Sequence, residues 1–392
     1  MKRICLLGST GSIGEQTIDI IKSNSKEFSL VGVSCGKNIN KLKQILNEIN
    51  SIECVCVQEE KEIEELRKEY PHLTFFSKDE GLLKLIDESK PNMVVNALVG
   101  FVGFLPSVHT LKANIDLALA NKESLVVGGD IINALLKKTK AKLYPIDSEH
   151  VALAKCLQNK KKKEIKRLVI TASGGSFRDL TRNQLVNVTK EDALKHPSWS
   201  MGAKITIDSA TMMNKGFEVI EAKHLFNIPV NKIDVLLHDE SVIHSLVEFV
   251  DNSYLADLGP ADMKVPIAYA LYEGKRNEVK TKTLDLELLG SLHFRKLNLK
   301  RYPCLEYALE SIKTGGTMPC ALNACNEEAV YAFLEGKISF LEIEEIIRCI
   351  LDTHRVIDEP TIQDIVYVDQ LTRKLTIEEI KRRQRLWQLM LF

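Results

Sequence analysis

What most constrains this chain is an alternation of short apolar runs with amphipathic ones, opened by a glycine-rich turn. Ile4–Leu7 reads as a strand, Gly8-Ser9-Thr10-Gly11-Ser12-Ile13-Gly14 follows it directly, and Gly14–Lys22 reads as a helix with Ile18 and Ile21 on one face. Leu30–Ser34, Cys54–Val57, Met93–Asn96, Ile115–Leu119 and Lys142–Ile146 read as further strands, with helical segments such as Ile39–Ile49 between them. Such alternation predicts a parallel sheet covered by helices on both faces. Glycines at the first turn let the backbone bend tightly and approach a pyrophosphate whose charge faces a helix N-terminus. The spacing is G-x-x-G-x-x-G rather than G-x-G-x-x-G, and such a turn can also serve strand–helix geometry alone.

The second strand bears on which dinucleotide would fit. A site for NAD usually places Asp or Glu near its end, to hold the ribose 2′-hydroxyl. Here the strand runs into Cys35-Gly36-Lys37-Asn38 with no carboxylate. Lys37 is either a solvent-exposed turn residue or the partner of a 2′-phosphate. The missing acid favours NADPH.

Beyond Lys160-Lys161-Lys162-Lys163-Glu164, read as a solvated loop, Arg167–Thr171, Lys204–Asp208 and Lys232–Leu237 are expected to form a second sheet. Residues 275–300 are irregular. Leu305–Ile312, Ala321–Glu335, Phe340–Thr353 and Ile377–Gln388 have helical periodicity and suggest a terminal helical domain. The expected class is α/β: a Rossmann-like parallel-sheet domain over 1–146, a central α/β domain over 147–274, a linker over 275–300 and a helical domain over 301–392.

Two clusters carry candidate chemistry. Asp147 and Glu149 flank Ser148 just past a strand; if the backbone stays extended, both carboxylates face one side and can grip one hard cation. Helix capping by Asp147 or Ser148 is the competing reading. Further on, Asn214 and Glu218 lie four apart and Lys215 and Glu218 three apart, so a helix from Ala210 would align an amide, an ammonium and a carboxylate. A plain surface Lys–Glu pair has the same spacing, but here polar density accumulates beside an apolar run. Ser173-Gly174-Gly175 is a second loop able to cradle a phosphate.

Composition removes whole classes of function. Lys plus Arg equals Asp plus Glu, 53 each over 392 residues, so no global field points to nucleic acid or acidic membranes. The nine cysteines include no C-x-x-C pair, which fits a reducing compartment. The apolar run before Gly8 is too short for a signal peptide, and residues 93–105, broken by Asn96, fall short of the ~20 residues of a spanning helix. A cytoplasmic protein without a membrane partner is expected.

Lys204–Glu218, together with Gly8–Gly14, Asn121-Lys122-Glu123 and Asp147-Ser148-Glu149-His150, resembles the 1-deoxy-D-xylulose 5-phosphate reductoisomerases, in the family's order over nearly the whole chain. The resemblance implies rearrangement of a ketose phosphate and NADPH reduction of the resulting aldehyde to 2-C-methyl-D-erythritol 4-phosphate, a step of non-mevalonate isoprenoid precursor biosynthesis. It implies NADPH contacts from Thr10, Gly11, Ser12, Ile13, Gly36, Lys37, Asn38, Asn121, Glu123 and Gly202. It implies magnesium or manganese on Asp147, Glu149 and Glu218, with Lys122 also catalytic. Sugar-phosphate binding falls to Lys122, Ser148, Glu149, Ser173, His196, Ser209, Asn214, Lys215 and Glu218, with the phosphate on Ser173, Ser209, Asn214 and Lys215. Trp199 and Met201 would sit on a closing flap, the 147–274 region would also carry dimerisation, and the protein would be a homodimer. The chain departs from the family pattern at Ser176, where Gly-Gly-Pro is usual, and at Asp239-Glu240, where His-Pro-Gln is usual after His238.

Two other readings compete. A plain NADP-dependent dehydrogenase explains Gly8–Lys37 but not three metal carboxylates with phosphate donors. A non-catalytic NADPH-binding scaffold predicts decay of the acidic triad, whose three members are all present.

Overall fold

The computed structural model describes residues 1–195, 199 and 201–390. The chain divides into two compact units, each discontinuous: one comprises 1–124, 132–151 and 262–282, the other 125–131, 152–261 and 283–392.

In the first unit, strands and helices alternate as their apolar periodicity dictates: β1 Lys2–Leu7, α1 Ser12–Ser23, β2 Phe28–Cys35, α2 Ile39–Glu48, β3 Cys54–Val57, α3 Glu62–Glu69, β4 Thr74–Ser77, α4 Lys78–Ser89, β5 Met93–Asn96, α5 Phe104–Lys112 and β6 Asp116–Leu119. Helix α6, Glu123–Lys138, leads to β7, Leu143–Pro145, and then to α7, Ser148–Leu157. The seven strands lie in the order β4-β3-β2-β1-β5-β6-β7, all parallel. β1 is central and buried on both faces, which its continuous Ile4-Cys5-Leu6-Leu7 run requires. The order reverses direction beside β1, so the crevice at the carboxyl ends of β1 and β5 is where a doubly wound sheet receives a ligand. β4 was not read from the sequence: Thr-Phe-Phe-Ser is too short to show a period.

The second unit holds β8 Ile165–Ala172, a short helix α8 Lys190–Ala193, α9 Ala203–Thr211, α10 Met213–Phe226, β9 Ile233–His238, β10 Ile243–Phe249 and β11 Tyr254–Leu258. Helix α11, Lys264–Leu271, returns to the first unit, where Ile267, Ala268, Ala270 and Leu271 join the core that contains Ile4 and Leu6. There follow α12 Leu286–Leu289, β12 Phe294–Lys296 and the helices α13 Pro303–Thr314, α14 Met318–Leu334, α15 Phe340–Thr353 and α16 Ile362–Met390. The five strands lie in the order β11-β10-β8-β9-β12, mixed in direction, with β8 and β9 parallel.

Two local expectations are corrected. Lys204–Asp208 is not a strand: it lies inside α9, where Lys204, Thr206, Ile207, Asp208, Ala210 and Thr211 are buried. Its β-branched alternation is overridden by packing on α10, α13 and α14. The backbone past Asp147 is not extended either, because α7 begins at Ser148.

Candidate active site

At the head of the first sheet, Gly8 adopts φ +84°, and a Cβ on it would lie 2.6 Å from the Ala97 carbonyl oxygen. A Cβ on Gly14 would meet the Gly8 carbonyl oxygen at 2.3 Å, so neither position admits a side chain. The Gly8 N–H donates to the Ser34 hydroxyl, and the Ser9 hydroxyl donates to the Ser34 carbonyl, both at 2.9 Å, tying the turn to β2. Thr10 approaches the Cys35 sulfur at 3.6 Å. Gly11 caps α1 without a side-chain hydrogen bond, so its first amides stay directed outward beside exposed Ser12 and half-buried Ile13.

Past β2, Gly36, Lys37 and Asn38 are exposed, and nothing lies within 4 Å of a Cβ on Gly36. The Asn38 carboxamide is also the cap of α2, accepting from the Lys41 N–H at 3.1 Å. Asn121 is buried; its amide donates to the carbonyls of Leu98 and Gly100 at 2.9 Å and to Glu123 at 3.2 Å. Its side chain therefore shapes the loop after β5, a role invisible in sequence.

Still in the first unit, Asp147 follows β7 and forms an ion pair with the buried Lys122. Burial raises the Asp147 pKa, but the charges of Lys122 and then His150 outweigh it and hold the carboxyl well below the usual carboxylate range. Ser148 donates to Glu149 at 2.5 Å. Hydroxyl, carboxylates and ammonium thus gather at one helix start. The capping alternative is not separate from this grouping, since the helix start is what clusters them.

In the second unit, α9 and α10 meet at Met212, a non-glycine residue with φ +64°. That break turns the chain between Ser209 and the first turn of α10, which carries Asn214 and Lys215. Asn214 donates to one oxygen of Glu218 and Lys215 to the other, each at 2.5 Å. The pair is intrahelical, yet Lys215 and Glu218 are both buried, unlike a solvated surface pair. The Ser173 loop comes against the same place: a Cβ on Gly175, φ +71°, would lie 2.5 Å from the Ser209 carbonyl oxygen. The Gly175 N–H donates to the Ser173 hydroxyl at 3.2 Å. Ser173 and Ser209 are therefore brought together by two touching backbones.

Trp199 is half-buried, with its ring 6.3 Å from that of His244; Met201 is half-buried and Gly202 exposed. His196 lies outside the described residues. Of the family departures, Ser176 donates to the Ala193 carbonyl at 2.6 Å. Asp239 pairs with Arg295 at 2.8 Å and Glu240 with His293 at 2.6 Å, so both anchor the segment of β12. The sequence reading did not single out Glu221, buried one turn beyond Glu218, although its i+3 spacing was a usable signal.

A doubly wound unit with a glycine turn at its switch point, and a mixed unit with buried lysine-paired carboxylate and apposed serine loops, define an α/β oxidoreductase built for a dinucleotide and an anionic substrate. Family models for 1-deoxy-D-xylulose 5-phosphate reductoisomerase match residues 4–129, and models for its C-terminal domains match 143–226 and 258–375. The 1-deoxy-D-xylulose 5-phosphate reductoisomerase of Bacillus cereus AH187 is 48% identical over 97% of this chain and all of its own length. That of Geobacillus sp. WCH70 is 49% identical over 95% of this chain and 98% of its own. A crystal structure of DOX-P reductoisomerase in complex with NADPH, fosmidomycin and magnesium superposes with a TM-score of 0.92 at 37% identity, covering 97% of this chain and 98% of that one. The Zymomonas mobilis enzyme in complex with NADPH gives 0.89 at 34% identity, covering 97% and 99%. The chain belongs to the 1-deoxy-D-xylulose 5-phosphate reductoisomerase family.

Proposed function

We propose that this protein converts 1-deoxy-D-xylulose 5-phosphate to 2-C-methyl-D-erythritol 4-phosphate, using NADPH and magnesium or manganese, in isoprenoid precursor biosynthesis. The observation that carries the reading is the state of its carboxylates: Asp147 and Glu218 are nearly excluded from water yet each is paired with a lysine. Hard oxygen donors of this kind suit a small divalent cation, and we assign Asp147, Glu149 and Glu218 to it. When bound, the cation supplies Lewis-acid polarisation of the substrate oxygens.

The chain's own residues divide the remaining work. Lys122 sets a positive charge beside Asp147, where oxyanion character develops. Ser173, Ser209, Asn214 and Lys215 grip the phosphate and hold the reactive carbons through remote binding energy. Ser148, Glu149 and His196 position the sugar. Trp199 and Met201 exclude water from the aldehyde before hydride transfer. Thr10, Gly11, Ser12, Ile13, Gly36, Lys37, Asn38, Asn121, Glu123 and Gly202 hold NADPH, with Lys37 at its 2′-phosphate. In functional terms we keep boundaries at 146/147, 274/275 and 300/301.

A homodimer is supported by β11, a sheet-edge strand whose Tyr254, Leu255 and Leu258 are exposed. No helix among the described residues is long and apolar enough to cross a membrane. The nine cysteines are all free thiols, which fits the cytoplasm.

The test is direct. Purified protein with magnesium and 1-deoxy-D-xylulose 5-phosphate should consume NADPH and release 2-C-methyl-D-erythritol 4-phosphate, and a chelator should stop both. Metal-independent NADPH oxidation, or an unbranched product, would replace this reading with that of an ordinary dehydrogenase.

A further inference from the structure

We propose that Asp208 and Asn326 are positioning residues for the phosphate anchor, acting through helix α9; this rests on the assignment of Ser209, Asn214 and Lys215 to the substrate phosphate. Asp208 immediately precedes Ser209 and is 1% exposed. One of its oxygens lies 2.8 Å from the Lys204 ammonium one turn back, and the other accepts from the Asn326 amide of α14 at 2.9 Å. A carboxylate so deeply buried is tolerated only when paired and hydrogen-bonded on both oxygens.

Asn326 is fully buried, and among the described residues its own amide oxygen has no hydrogen-bond partner. An apolar residue there would fill the space without an unsatisfied acceptor. Packing alone therefore does not account for the amide, whereas its bond to Asp208 does. The same network reaches α10, because the Lys204 ammonium stands over the Phe217 ring, 5.2 Å from its centroid. The chain passes from one helix to the other through the left-handed Met212, a conformation that persists where the surroundings determine it. Asn326 and Lys204 thus fix, from outside the turn, the angle at which Ser209 faces Asn214 and Lys215.

The test compares Asn326→Ala, Asp208→Asn and Ser209→Ala by steady-state kinetics, inhibition by inorganic phosphate and NADPH binding. Positioning predicts that Asn326→Ala raises KM for the sugar phosphate and the phosphate inhibition constant together by about tenfold, with kcat within about threefold and NADPH affinity within about twofold. Asp208→Asn, which keeps the side chain's shape, carries the same expectation if Asn326→Ala does not fold. If Ser209→Ala weakens phosphate binding but Asn326→Ala and Asp208→Asn do not, the positioning role is overturned while the anchor stands. If Ser209→Ala leaves phosphate binding intact, the anchor falls and the proposal with it. Parallel losses of kcat and NADPH affinity would mark general damage and also overturn it.

Discussion

Lys37 stands in the exposed turn after β2, where an NAD site would place a carboxylate. Lys37→Ala is therefore expected to weaken NADPH by about 1–2 kcal/mol, roughly five- to thirtyfold, and to leave NADH nearly unchanged. Fluorescence titration with both cofactors checks this, and equal losses would remove Lys37 from the 2′-phosphate. Residues of this kind were legible because their chemistry is local: the glycine turn, the missing acid and the Asn214–Lys215–Glu218 spacing all lie within one or two turns. Asp147 and Glu149 were grouped on the premise of an extended backbone, whereas α7 starts at Ser148. Asn121 and Asn326 spend their amides on partners distant in sequence, which no short pattern encodes.

Among the elements, α9 was misread because Lys-Ile-Thr-Ile-Asp alternates like a strand, while the neighbours it packs on include α13 and α14, whose residues come far later in the chain. β10, β11 and β12 escaped notice because each is either interrupted by charges or only a few residues long. Helix α6 hides another long-range device. It is broken at Gly128, and a Cβ on the next residue, Gly129, would lie 2.4 Å from the His224 ring of α10. Burial first, then the Lys223 charge, push the His224 imidazole down to about 4 against the pull of Asp130. An imidazole that protonates near 6.5 in the unfolded chain but near 4 in the folded one favours unfolding in acid. Stability from this residue is complete above about pH 6.5 and falls as pH drops toward 4, by at most about 3 kcal/mol. Melting temperature against pH should show that slope, and His224→Phe should flatten it. An unchanged slope in the variant would assign the acid sensitivity to other groups.

Across the molecule, the order of elements was legible but the compact units were not contiguous stretches. Residues 125–131 group with the second unit and 262–282 with the first, through α11 packing into the parallel-sheet core. Apolar periodicity identifies elements without saying which core each one joins. The central proposal is that Asp147, Glu149 and Glu218 serve a single cation. Manganese titration with NADPH present, followed through the free-ion electron paramagnetic resonance signal, tests it most directly. The account predicts one high-affinity site in the parent protein, weakened at least about tenfold in each of Asp147→Asn, Glu149→Gln and Glu218→Gln, with NADPH binding retained. Parent-like manganese affinity in Glu218→Gln would contradict it.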